Sequence, residues 1–410
     1  MSILRKITLT SLCFTGGTAI LPDRTVEDAI VVCRDGKITY VGRSKTRLPK
    51  GAETIDAKGG WISPGFVDIH VHGGGGSDFM DGDVEAVHQS CRAHASHGTT
   101  TLFPTTSTGS PTQIQAMLDA TTNAQRNWTA ENGAAIGGVH LYGPFFAKDK
   151  VGCHNESGCR SPAAKEFESY FKSGIIKIAT CAAELPGAAD FYRQARRKDC
   201  LITCGHSNST WSEMDAAFKN GMRHVDHFWC AMSTVPSIRK RLGVPMQGSM
   251  LEYVLANPEM STEVIADGMH LSPELLRFAW QLKTAQRLCL VTDCNRALDM
   301  PPGKYRFGSK QDGSWFTSDG KVGWASENSL ASSVNGMAHM IRHMHHSTQI
   351  PLTDVVRMAS LTPAERVGMD AQIGSLQRGK WADIVILSPR LKVRSVFLRG
   401  TRYRNSNRHS

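Results

Sequence analysis

The middle of the sequence alternates between short apolar runs and amphipathic segments. Eight runs of strand length recur between residues 66 and 293, and the segments between them have the apolar spacing of helices. Eight repeats favour a closed parallel (β/α)8 barrel of the TIM type over an open doubly wound sheet, which usually has fewer strands and a glycine-rich phosphate turn after the first. The predicted strands are 66–72, 99–106, 135–142, 175–184, 201–206, 224–229, 263–270 and 288–293. The clearest predicted helices are 84–97, 112–125, 211–220 and 273–283.

Both ends of the chain have the pattern of short β-strands. Residues 29–33 and 38–41 are apolar runs on either side of an Asp35-Gly36 turn, which is a strong hairpin signal. Runs at 382–387 and 393–398 repeat the pattern. Neither end has enough apolar surface to fold alone, so we expect the two ends to pair into one small sheet domain. The predicted division is a sheet domain of residues 1–62 and 374–410, and a barrel of residues 63–373 with a hairpin inserted at 305–324.

Composition narrows the class of protein. The net charge of +10 comes from basic residues that are spread thinly, with denser patches at 193–198, 239–241 and 399–408. No aromatic-interleaved basic stripe accompanies them, so we expect no nucleic-acid partner, but a solvated basic surface with some attraction for anionic metabolites. Eleven cysteines without a CxxC pair indicate free thiols, and Cys153 and Cys159 are the one close pair with flanking polar residues.

The sequence shows no targeting or membrane segment. The first residues lack the apolar core and small-residue cleavage site of a secretory signal, and nowhere do eighteen apolar residues run together. We therefore expect a cytoplasmic protein with no membrane association.

Histidines and one aspartate fall at the carboxyl ends of the predicted strands. His70 and His72 end the first strand, and side chains at i and i+2 of a strand project from the same face. The ends of the other strands carry His206, His227, His270 and Asp293. In a parallel barrel these ends form one ring, so the side chains converge into a set of nitrogen and oxygen ligands that suits zinc and similar ions.

Each of these residues also has a plainer interpretation. A His-x-His triplet alone is weak evidence for a metal, and Asp293 could instead cap a helix. Seven other histidines are predicted to be packing or surface residues rather than ligands: His88, His94, His224, His339, His343, His345 and His346.

Four motifs together resemble a known family. The stretches PGFVDIHVHG (64–73), GHSNST (205–210), ADGMH (266–270) and VTD (291–293) are similar to the amidohydrolase superfamily and, within it, to the N-acetylglucosamine-6-phosphate deacetylases. The similarity runs from about residue 25 to about residue 400. It implies a metal-dependent (β/α)8 barrel, a β-sandwich built from both termini, a homodimer, and hydrolysis of the N-acetyl group of a 6-phosphorylated amino sugar.

The resemblance also implies residue roles. His206 and His227 would hold the catalytic divalent ion, expected to be zinc, with iron or manganese as alternatives. His70 and His72 would be able to hold a second ion, with Asp293 close to both, so that one or two ions bind per subunit. Asp293 would take a proton from the attacking water and return it to the leaving amine. The residues expected to contact the sugar phosphate are His154, His270, Ala231 and Arg241, the last reaching toward the neighbouring subunit's site.

Two positions depart from the family pattern. Tyr142 stands where the family has a metal-binding glutamate, and Cys230 stands where it has an asparagine. Loss of an anionic ligand leaves an ion with less charge compensation unless another group replaces it. Glu184 is the nearest candidate on strand order, with Cys181, Cys230 and Cys294 as softer options. Two alternatives therefore stay open: an amidohydrolase acting on another N-acyl or cyclic amide substrate, and a non-catalytic descendant that binds a sugar or a partner.

Overall fold

The structure is a computed structural model that describes residues 11–43 and 50–404. Residues 1–10 lie outside the described residues. They belong to the predicted sheet domain and to the segment for which no secretory signal is predicted. Residues 44–49 and the end of the basic tail from residue 405 also lie outside the described residues.

A parallel barrel forms the main body of the fold. Its third to eighth strands make one continuous parallel sheet, and its second strand pairs with the first. A bridge between Thr105 and His140 joins the second strand to the third. The ring closes after the eighth strand, where the Asp293 amide donates to the His70 carbonyl at 2.9 Å. The predicted (β/α)8 barrel is therefore confirmed. Its strands are Phe66–Val71, Thr99–Pro104, Val139–Leu141, Ile176–Thr180, Leu201–Cys204, His224–Val225, Ser261–Ile265 and Leu288–Val291, with Ala135–Ile136 added beside the second.

Helices surround the barrel and begin at recognisable caps. Ser110 and Gln113 form a reciprocal capping box at the start of the second helix, and Thr210 and Glu213 form another. The α-helices are Val84–Ser96, Pro111–Arg126, Ala164–Phe171, Ala188–Arg197, Trp211–Lys219, Val235–Leu242, Met250–Ala256, Pro273–Arg287, Met337–Thr348, Leu352–Met358 and Leu361–Arg366. Within the described ranges, none of the helices combines the length and the apolar character that crossing a bilayer would need.

The described N-terminal and C-terminal strands, within residues 11–64 and 384–402, meet in a sandwich of two sheets, as predicted. Phe14 of one sheet and Phe397 of the other are both buried, and their rings meet edge to face with centroids 4.8 Å apart. The 29–41 hairpin is present, and Asp35 and Gly36 both adopt the positive φ that its tight turn requires. The first sheet contains Lys37–Arg43, Ala29–Arg34, Ser11–Thr15 and Glu53–Asp56, in that order. The second contains Thr401–Arg402, Val393–Leu398, Ile384–Leu387, Trp61–Pro64, Thr18–Ile20 and Thr25–Val26.

The division of the chain at 62/63 and 373/374 stays a proposal. The strand Trp61–Pro64 belongs to the sandwich, where it pairs with Ile384–Leu387, and the first barrel strand begins at Phe66. The polypeptide thus passes from sandwich to barrel within about two residues of the predicted boundary.

The hairpin predicted at 305–324 is too short. The structure has a four-stranded antiparallel sheet there, made of Gly303–Phe307, Ser314–Ser318, Val322–Ser326 and Ser329–Ser333. The last two strands are rich in serine, alanine and glycine, which have weak strand propensity, so their pattern gave little signal.

We predict that Phe397→Ala lowers the free energy of unfolding by about 3–5 kcal/mol, because it leaves a cavity between the two sheets. Urea denaturation followed by circular dichroism measures the change. Leu282→Ala, at a side chain that is 46% exposed, is the control and should change stability little.

Candidate active site

Three donor side chains converge at the carboxyl ends of the first and eighth barrel strands. Nε2 of His72 lies 3.3 Å from Oδ1 of Asp293, and Nε2 of His70 lies 3.6 Å from the same oxygen. One ligand atom from each of the three residues lies within 4.8 Å of the others. Within the described residues, Nε2 of His70 has no hydrogen-bond partner although it is buried. Two imidazoles and a carboxylate in this arrangement suit a divalent cation.

Glu263 holds His70 from behind. Nδ1 of His70 donates to Oε2 of Glu263 at 2.8 Å, so its Nε2 faces Asp293. The same carboxylate accepts from His224 at 3.3 Å and from the His227 backbone amide at 3.2 Å. A carboxylate behind a metal-binding histidine fixes its tautomer and its ring orientation. This role of Glu263 was not predicted from the sequence, although a glutamate inside a buried strand is a signal for it.

Charges in this network shift the pKa values of its members. Burial raises the pKa of Glu263, but the charge of His70 and hydrogen bonds from His224 and His70 outweigh it and hold the pKa well below its usual range. Burial lowers the pKa of His70, and the charge of Glu263 more than reverses this, raising it to about 9, so an ion bound at Nε2 would replace a proton there. For Asp293, burial also raises the pKa, but the hydrogen bond from His72 and the charges of His70 and His72 lower it below the usual range. Asp293 is therefore ionised at neutral pH.

Tyr142 fills the centre of the barrel mouth. Its ring centroid lies 4.4 Å from that of His70 and 5.3 Å from that of His206, and only 1% of the residue is exposed. Its hydroxyl donates to Nε2 of His227. Burial, then the charge of Asp226, holds the pKa of Tyr142 well above its usual range, and burial, then His70, lowers the pKa of His227 to about 4. The pair is thus a neutral phenol bonded to a neutral imidazole.

His206 and His227 reach the mouth beside Tyr142, and the ring of His227 stacks on that of His70 with centroids 5.2 Å apart. The ring centroids of His206 and His227 are 5.1 Å apart, and His206 stacks on Phe146 while its Nδ1 donates to the Lys150 carbonyl at 2.5 Å. Among the described histidines, cysteines and acids, neither residue joins a group of three donors within 4.8 Å. The second such group, His70 with Asp226 and Glu263, belongs to the buried network rather than to the mouth.

A cavity of about 400 Å³ opens beside these residues. His154 is buried at its wall, with its ring 5.8 Å from that of His72, and Nδ1 of His270 donates to Asp267 at 2.8 Å. Lys150 and Ser332 also line it, which the sequence did not indicate. The predicted site residues that line the cavity are Tyr142, His154, His206, His227, Cys230, Ala231, His270 and Asp293.

Glu184 and Arg241 have other partners. Glu184 accepts from the Ser207 hydroxyl at 2.6 Å, the Asn208 amide at 2.5 Å and the Ser209 hydroxyl at 2.7 Å, so both its oxygens hold the loop after the fifth strand. Arg241 donates to the Asn208 carbonyl and to Glu213, each at 2.5 Å, and does not line the cavity.

The cysteines proposed as softer ligands are buried or protonated. Cys181 and Cys294 are fully buried, and their thiols donate to the carbonyls of Ala182 and Asn295. Cys230 lines the cavity, and burial raises the pKa of its thiol to about 12. All eleven cysteines are unpaired, including Cys153 and Cys159.

Comparison with known proteins agrees with this geometry. The sequence profile of the Amidohydrolase family matches residues 61–402. The chain belongs to the amidohydrolase family. As an amidohydrolase it is predicted to use a divalent metal, and the cluster of His70, His72 and Asp293 offers a place for one. The predictions of superfamily, fold class and enzyme class are thereby confirmed.

Individual relatives cover nearly the whole of this amidohydrolase. It is 30% identical over 389 residues to an N-acetylglucosamine-6-phosphate deacetylase of Bacillus subtilis (strain 168). The aligned part covers 93% of this chain and 94% of the relative. It is 28% identical over 341 residues to an N-acetylgalactosamine-6-phosphate deacetylase of Escherichia coli O157:H7, with 83% and 86% covered. A mutant N-acetyl-D-glucosamine-6-phosphate deacetylase of Mycobacterium smegmatis, solved with N-acetyl-D-glucosamine-6-phosphate, shares the fold at a TM-score of 0.86 and 24% identity over 96% of this chain and 99% of that one.

We predict that Glu263→Gln weakens zinc binding by about 10–100-fold, because His70 loses the carboxylate that orients it. Equilibrium dialysis against zinc measures the affinity. Glu259→Gln, on an exposed residue four positions earlier, is the matched control. Unchanged zinc affinity in Glu263→Gln would remove Glu263 from the support of the site.

Proposed function

We propose that this amidohydrolase removes the N-acetyl group of N-acetylglucosamine 6-phosphate by metal-dependent hydrolysis, giving glucosamine 6-phosphate and acetate. The observation that carries the proposal is the cluster of His70, His72 and Asp293 beside a cavity at the mouth of an amidohydrolase barrel. The substrate class comes from relatives that match the chain over most of its length. A cavity of about 400 Å³ is within the size range of small-molecule sites.

The donor set supports zinc as the ion, because imidazole nitrogen and carboxylate oxygen are common zinc ligands, with iron or manganese as alternatives. When bound, the ion lowers the pKa of a water molecule and polarises the amide carbonyl.

Asp293 is the proposed proton carrier. Its carboxylate is ionised at neutral pH and lies at the cavity wall, so it can accept a proton from the attacking water and pass it to the leaving amine. The position of Asp293 follows from its backbone, which takes a left-handed φ of 44° directly after the eighth strand while its amide bonds to His70.

The proposed substrate contacts lie around the same cavity. His154 and His270 offer ring nitrogens and Ala231 offers its backbone, as expected for a sugar ring and its phosphate. Lys150 adds a cation at the cavity wall. Arg241 stays a proposed phosphate ligand, but its guanidinium would have to exchange Glu213 for the phosphate.

We also propose a cytoplasmic homodimer. Eleven free thiols are typical of a reducing compartment. Leu242, Val244 and Met246 are 46%, 77% and 60% exposed and adjoin one another at the end of the helix that carries Arg241, so a second copy of the chain would cover apolar surface there.

We predict that the purified protein releases acetate from N-acetylglucosamine 6-phosphate in the presence of zinc. Unphosphorylated N-acetylglucosamine should have a kcat/KM about 10–100-fold lower, because hydrogen bonds to a charged phosphate contribute about 1.5–3 kcal/mol. A coupled acetate assay with both sugars and N-acetylgalactosamine 6-phosphate measures this. Protein stripped of metal is the control. Absence of acetate from all three sugars with zinc bound would contradict the proposal and favour a different amide or a binding function.

We predict that Asp293→Asn lowers kcat by about 10²–10⁴-fold, because an amide cannot carry the proton. Initial rates of acetate release measure the effect, and circular dichroism checks the fold. Asp190→Asn, on an exposed helix residue, is the control. A rate equal to that of the wild type would exclude Asp293 from proton transfer.

A further inference from the structure

We infer that this amidohydrolase binds one ion, held by His70, His72 and Asp293, and that Tyr142 closes the His206 and His227 side of the barrel mouth to a second ion. The inference rests on the proposed metal-dependent function and specifies its metal site. It departs from the sequence-based expectation, in which His206 and His227 hold the catalytic ion.

The first observation is how the donors are grouped. Ligand atoms of His70, His72 and Asp293 lie within 4.8 Å of one another, and Nε2 of His70 is buried with no hydrogen-bond partner among the described residues. Its other nitrogen is already bonded to Glu263, so Nε2 is oriented toward the cluster. A buried nitrogen of this kind needs a partner, and a cation between the three side chains would provide one.

The second observation is the partner of His227. The Tyr142 hydroxyl donates its hydrogen to Nε2 of His227, which uses the lone pair that coordination through that nitrogen would need. Nδ1 of His227 then carries the ring hydrogen, so it offers no lone pair to an ion, although it is buried without a hydrogen-bond partner among the described residues. The phenol ring also packs against both groups of ligands, 4.4 Å from the ring of His70 and 5.3 Å from that of His206, where the rings of His70 and His227 stack with centroids 5.2 Å apart. An ion on the His227 side would have to displace a buried hydroxyl that is packed on several sides.

The third observation is charge. Two divalent cations about 3.5–4 Å apart repel strongly, and two-metal sites offset this with anionic ligands between the ions. Here a neutral phenol, that of Tyr142, packs against the rings of His70, His206 and His227. Both oxygens of Glu184 are bonded to the loop of residues 207–209. The carboxylates at the cavity wall are Asp149, which accepts from the Asn208 side chain at 2.6 Å, and Asp293, which already contacts His72. The charge of the site supports one ion rather than two.

A metal count without substrate tests this inference independently of catalysis. Purified protein is stripped with a chelator, reloaded with zinc, dialysed and measured by inductively coupled plasma mass spectrometry. We expect one zinc per chain in the wild type, a loss of that zinc in His72→Ala, and one zinc retained in His206→Ala. Tyr142→Glu should raise the count to two, because it restores an anion and frees Nε2 of His227. Tyr192→Phe, which removes another buried tyrosine hydroxyl, is the control and should keep one zinc.

Several results would overturn the inference. Two zinc ions or none in the wild type would do so, as would zinc lost in His206→Ala but kept in His72→Ala. The wild-type count decides the matter even if a variant fails to fold, and circular dichroism identifies such a variant. A wild type with one zinc but no acetate release would contradict the proposed substrate while leaving the metal assignment intact.

Discussion

The structure depends on a carboxylate buried inside the barrel. Glu263 has no exposed surface, and it binds His70 of the first strand, His224 of the sixth and the backbone of His227. An uncompensated charge in such a place would cost several kcal/mol, so its three donors are needed for folding as well as for orientation. Because one of them is His70, the interaction that stabilises the barrel interior also orients a ligand at its mouth.

The inserted sheet completes the site that this network supports. Phe307 of its first strand packs against His72 with ring centroids 4.9 Å apart, and Asn328, Ser329 and Leu330 at its last turn line the cavity. After the eighth strand the chain therefore returns over the barrel mouth and forms one wall of the cavity. The polar residues in that wall suit a hydroxylated ligand, whereas the aromatic contact limits the movement of His72.

Local patterns in the sequence were enough to predict the fold and part of the site. The alternation of strands and helices indicates a barrel, and the i, i+2 spacing places His70 and His72 on one face, since both patterns act over a few residues. Glu263 could not be recognised in the same way, because its partner His70 lies 193 positions away. Glu184 shows a different limit of sequence patterns: strand order indicates an end of the barrel for it, but does not reveal that the loop of residues 207–209 bonds to both its oxygens.

Tyr142 links the charge of the site to its packing. A carboxylate there would place a third acid beside Asp293 and near Glu263, and it would need a cation to offset the repulsion. A phenol needs none, because it satisfies its hydroxyl on His227 and fills the space with a ring that packs on His70 and Phe146. Tyrosine in place of a carboxylate at position 142 therefore removes a negative charge, and with it the need for a positive charge beside it. The donor set of His70, His72 and Asp293 still needs a cation. The cation is therefore expected on that side of the barrel mouth.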